Sequence, residues 1–139
     1  MDEQEQYDIA LIGAGADDDE RAAFTVYEGG PACKLTCTYR GKTIAAEAGD
    51  FFEALCLIRR QLEPEGLIPF CYGASLNVFP SGMARDMGAG LKAYRLKKGV
   101  HVRPPDDLVE IFATGPDVIP ASVEAQEAFW REWLATPRV

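Results

Sequence analysis

The chain has 139 residues, 47% hydrophobic and 26% charged, with four Cys, one His and a formal net charge of −8. That length and balance describe one domain able to bury a core, and they exclude collagenous, fully disordered and disulfide-scaffold classes. No apolar run approaches the ~20 residues of a membrane span, and the acidic start Met1-Asp2-Glu3 is unlike a signal peptide, so a cytoplasmic protein that binds no membrane is expected.

The charge is concentrated at one end. Residues 1–20 hold eight acids (Asp2, Glu3, Glu5, Asp8, Asp17, Asp18, Asp19, Glu20) and no base, whereas the remaining residues are balanced. Such a segment repels nucleic-acid phosphates and attracts basic protein surfaces. Residues 1–20 therefore read as a partly flexible acidic segment holding at most one strand, with residues 21–139 as a single domain. The segment is either a solvated tail or a docking element for a basic protein partner through Asp17, Asp18, Asp19 and Glu20; nucleic acid is not expected as a partner.

Residues 7–15, Tyr-Asp-Ile-Ala-Leu-Ile-Gly-Ala-Gly, imitate the strand and glycine loop of a dinucleotide fold. The third glycine of that fingerprint would fall at Asp18, inside Asp17-Asp18-Asp19-Glu20, where successive carboxylates repel a pyrophosphate. A strand at 8–12 running into a flexible loop is the reading kept, and no cofactor is expected. Period-two alternation then predicts strands at 24–28, 34–39 and 43–47, with Arg40-Gly41 as a two-residue hairpin turn. Asp50 and Glu53 have capping-box spacing, and Phe51, Leu55, Ile58 and Leu62, widened by Phe52 and Cys56, form the stripe of a helix over 51–62. Arg59 and Arg60 fall in its last turn, where cations suit the helix dipole, and Pro64 with Gly66 ends it.

Beyond it, strands are predicted at 67–72, 76–79, 91–97 and 108–113, a short helix at 82–87 capped by Ser81 and stopped by Gly88, and a last helix over about 123–135 following Ser122. That helix carries Phe129, Trp130 and Trp133, an apolar face that docks it or awaits a partner. The expected fold is α+β: one mainly antiparallel sheet with two main helices against one face, in the order β-β-β-α-β-β-β-α.

Cys33, Cys37, Cys56 and Cys71 are scattered, without a CxxC and with His101 as the single histidine, so no metal is expected. Cys71, between Phe70 and Tyr72, reads as a buried thiol rather than a nucleophile served by His101. Asp106-Asp107, after Pro104-Pro105, reads as an ordinary turn. The segment 71–98 combines glycines with Arg85, Lys92, Arg95, Lys97 and Lys98. An anion site built on Ser81, Gly82, Arg85 and Lys92 is one reading of it, and a structural loop whose bases pair with Asp86 or the N-terminal acids is the other. No residues form a catalytic constellation.

The run Phe70-Cys-Tyr-Gly-Ala-Ser-Leu-Asn-Val-Phe-Pro-Ser-Gly-Met-Ala-Arg-Asp-Met-Gly-Ala-Gly-Leu-Lys-Ala-Tyr-Arg-Leu, with Leu108-Val-Glu-Ile-Phe and the earlier Asp50-Phe-Phe-Glu-Ala-Leu, resembles a group of small bacterial cytosolic proteins of uncharacterised activity. The resemblance covers about 40–135. Some members resemble immunity or accessory proteins coded beside toxins, which implies a non-catalytic partner-binding protein with Arg85, Lys92 and Tyr94 at motif positions. Three functions compete: a neutraliser of a basic partner, a small-ligand or anion-binding module on 81–92, and an enzyme using Cys71 or Arg85.

Overall fold

Residues 3–139 are described by a computed structural model; Met1 and Asp2, where the acidic segment begins, lie outside the described residues. The elements are β1 (Glu3–Ile12), β2 (Arg21–Glu28), β3 (Cys33–Tyr39), β4 (Lys42–Ala48), α1 (Phe51–Leu62), β5 (Ile68–Pro69), β6 (Val78–Phe79), α2 (Gly82–Met87), β7 (Lys92–Arg95), β8 (Leu108–Glu110) and α3 (Val123–Ala135). The fold is α+β, as expected.

Alternation decides the faces of the first four strands. Ile9 and Leu11 of β1, Phe24 and Val26 of β2, and Leu35, Cys37 and Tyr39 of β3 point inward and are buried. The opposite face carries rows such as Gln6, Thr25, Thr36 and Ala45, directly opposed across four strands. Tyr39 pairs with Lys42 across the turn, where Arg40 and Gly41 have φ of 50° and 73°, the double positive φ of a primed hairpin turn.

α1 covers the inner face. Asp50 Oδ1 accepts a hydrogen bond from the Glu53 N–H at 2.8 Å, satisfying one of the orphan donors of the first turn. Phe51, Phe52, Leu55, Ile58 and Leu62 are all buried, each contributing about 1.5–3 kcal/mol by leaving water. Tyr7 stacks on Phe112 at 5.0 Å, so the chain after β8 closes another side of the same core.

Three features differ from the sequence reading. The strands divide into two antiparallel sheets, β4-β3-β2-β1-β5 and β6-β7-β8, instead of one. The expected strand at 67–72 is cut to two residues because the chain turns into a 3-10 helix at Tyr72–Ala74, whose approach spends its backbone donors elsewhere: Tyr72 N–H on Ala113 O and Gly73 N–H on Ile111 O. That excursion separates the later strands from the first sheet.

The second difference is β1, which extends over ten residues and lies between β2 and β5, inside the sheet. Residues 3–12 thus belong to the same domain as 21–139. Third, the glycine loop after β1 is packed. Gly15 N–H donates to Gly66 O at 3.0 Å, and Arg40 reaches back to Gly15 O at 2.6 Å and to Glu20 at 2.6 Å. The two glycines that imitate a phosphate loop serve a backbone crossing against residues 65–66.

Candidate functional site

The chain between β5 and β6, which joins the sheets, is held by a buried polar clamp and leads on to α2, which presents two of the most exposed large apolar side chains, Met83 and Met87. Arg59, on the inward side of α1, is 2% exposed. Its Nη1 donates to Gly73 O at 3.0 Å and to Gln126 Oε1 at 2.6 Å, and its Nη2 donates to Ala121 O at 3.0 Å. Gln126 of α3 then donates from Nε2 to Gly73 O, Ser75 O and Val78 O at 3.0, 2.9 and 2.8 Å. None of these Arg59 contacts is a carboxylate, and burial pulls the guanidinium pKa down from its ordinary value. Carbonyl dipoles and an amide oxygen take the place of a counter-ion.

β6 leaves this clamp and leads through Pro80 into α2. Ser81 Oγ accepts from the Ala84 N–H at 3.0 Å, as its predicted cap role requires. After Gly88 the chain returns to the start of α1: Phe51 N–H donates to Ala89 O at 2.7 Å. Arg85 is not paired with Asp86 or the N-terminal acids. It binds Asp50 Oδ2 at 3.1 Å, with its guanidinium 5.2 Å from the Phe52 ring centroid and 5.4 Å from that of Phe79. The residue that caps α1 through one carboxylate oxygen therefore also pins α2 through the other.

α2 has two faces. Gly82 and Arg85 line a cleft of about 410 Å³ with Phe52, Phe79 and Trp130, where the Trp130 indole lies flat on Phe79 at 4.4 Å. Ser81 lies on the other side with Lys92 and Tyr94, lining a groove of about 480 Å³ completed by Met83, Met87, Leu91 and Leu108. Met83 is 72% exposed and Met87 83% exposed, one helical turn apart. The four residues of the anion reading thus fall on two faces, Gly82 with Arg85 and Ser81 with Lys92.

The acidic residues lie elsewhere. Asp17, Asp18 and Asp19 are exposed and form no ion pair among the described residues, whereas Glu20 is taken up by Arg40, which holds its carboxyl pKa below the ordinary value. Their loop packs on residues 65–66, just past the C-terminal end of α1, while α2 meets its N-terminal end. Tyr94 and the aspartates therefore occupy opposite ends of α1.

The thiols are poor nucleophiles. Cys71 is fully buried, and desolvation pushes its pKa up to about 11; Cys37 is pushed up to about 12 by the same cause. His101 is exposed. Asp107 Oδ2 accepts from the Arg103 N–H at 2.7 Å, so it closes the turn after Pro104-Pro105. Among the described residues no group of three or more His, Cys, Asp or Glu could hold a metal ion.

The sequence reading missed Arg59, Gln126 and the methionine pair as a surface. A signal for the pair exists: Met83 and Met87 are the only large apolar residues of a six-residue helix, spaced four apart, so they share a face. Comparison of the chain with protein-family models and with curated proteins finds no match in either.

Proposed function

We propose that the chain is a non-catalytic protein-binding protein that docks a basic partner through α2, an immunity-like neutraliser of the kind the sequence resemblance implies. The observation that carries this reading is the exposure of Met83 and Met87 beside a groove walled by Leu91, Tyr94 and Leu108. Large exposed apolar side chains that form one continuous face favour association, and methionine's flexible, polarizable side chain adapts to a partner's contours. The net charge of −8, with Asp17, Asp18 and Asp19 in no ion pair among the described residues, favours a basic partner by steering its approach. Four unpaired thiols suit a reducing bacterial cytoplasm.

The anion reading of 81–92 has less support, because Arg85 is occupied by Asp50 and two rings and Lys92 lies across α2 from it. Capture on immobilised protein tests the docking reading. Met83→Ser/Met87→Ser leaves the core untouched and weakens retention of the partner by at least about tenfold, the effect of losing central apolar contacts. Asp17→Asn/Asp18→Asn/Asp19→Asn slows association chiefly at low salt. Capture unaltered by the methionine pair contradicts the reading.

A further inference from the structure

A second cleft, of about 420 Å³, lies between β7 and the loop that follows it. In a chain of net charge −8 its charged lining is mostly cationic, Arg95, Lys97 and Arg103 against the single acid Asp107, with His101 beside them as a further polar group. Asp107 Oδ2 accepts from the Arg103 backbone N–H at 2.7 Å, which holds this carboxylate in the turn. Lys97, His101 and Arg103 are exposed and make no ion pair among the described residues.

Arg95 is positioned more rigidly than the others. Its Nη1 donates to Asp106 O at 3.0 Å, its guanidinium sits 5.2 Å from the Tyr72 ring centroid, and its Nε lies 3.0 Å from Asp117 Oδ2, a charge contact outside hydrogen-bond geometry. The loop is also anchored from below, because Trp133 Nε1 donates to Lys97 O at 3.0 Å and to Val100 O at 3.3 Å. The backbone N–H groups of His101 and Val102 have no intramolecular acceptor among the described residues. Leu96, Val100 and Val102 supply apolar wall between these donors.

We propose that this cleft binds a small phosphorylated molecule, its phosphoryl group taken by Lys97, His101 and Arg103 and its organic part by Leu96, Val100 and Val102. Phosphate fits the donor set because guanidinium and ammonium groups, with spare backbone N–H groups, satisfy several oxygens at once. The size of the cleft suits a small ligand, and the acidity of the rest of the molecule opposes a polynucleotide. The site is separate from the α2 surface, so its failure and the failure of the docking reading are read independently.

The probes are phenyl phosphate and inorganic phosphate, titrated into the native protein and into Lys97→Gln/Arg103→Gln, which alters only exposed side chains. Phenyl phosphate at ten times its Kd is expected to raise Tm by about 5 °C, inorganic phosphate at equal concentration by less, and the double variant to lose most of both rises. Amide chemical-shift changes fall within residues 95–103. No rise with either probe, an equal rise in native protein and variant, or binding of a single-stranded oligonucleotide in preference to both phosphates overturns the proposal.

Discussion

Arg59→Met lowers the stability of the fold by about 3 kcal/mol, and Tm by about 10 °C, in thermal or denaturant unfolding. Two effects oppose one another. Methionine relieves the cost of holding a guanidinium out of water, a cost visible in the lowered pKa of Arg59. It also leaves Ala121 O and Gln126 Oε1 without their donor, and Gly73 O with only the amide of Gln126. A buried acceptor stripped of its partner costs about 1–3 kcal/mol, more where the lost donor was charged, so the orphaned carbonyls outweigh the relief. Arg60→Met is the control: Arg60 is exposed and only 3.9 Å from Glu53, and its loss changes stability by less than about 0.5 kcal/mol. Equal stability of the two variants would mean that the clamp contributes nothing.

Gly15→Ala destabilises by about 2 kcal/mol for a steric reason. A Cβ at this position stands 1.8 Å from Glu65 O and 2.9 Å from its carbonyl carbon, both backbone atoms that no rotamer change can clear. The loop must lift, which breaks the Gly15 N–H to Gly66 O bond and shifts the acceptor of Arg40. Gly82→Ala at the start of α2 meets no atom within 4 Å and is expected to be neutral or slightly stabilising. Differential scanning calorimetry of the two variants separates a packed loop from a flexible one: equal melting temperatures would show that the crossing at residues 65–66 is loose.

What was legible in the sequence was local. The Asp50 cap, the Arg40-Gly41 turn, the stripe of α1 and the caps of α2 and α3 each depend on residues within about four positions, and each forms as read. The division into two sheets was not legible, because it follows from hydrogen bonds between residues 72–73 and 111–113 that no periodicity encodes. Arg59 was misread for a related reason. Two adjacent arginines in a last helical turn suit the dipole equally well, and the acceptor that distinguishes them, Gln126, is 67 residues away. Position 59 does fall on the stripe, four after Leu55 and three before Leu62, whereas position 60 does not, so helical phase alone separates the buried cation from the exposed one. The Gly13-Ala-Gly15 run, rejected as a phosphate loop, reads as flexible but is packed, because close backbone approach to residues 65–66 needs the same residue type as a phosphate loop.

On the proposed reading, α2 is the surface through which the chain meets a basic partner. A photo-crosslinking amino acid placed at position 83 reports that contact, with the same group at Gln61, an exposed site on α1, as reference. Irradiation in cell extract is expected to join one basic protein to position 83 and none to position 61, with the adduct suppressed by added unlabelled native protein. No adduct at 83, or the same adducts at both positions, would remove α2 as the docking surface.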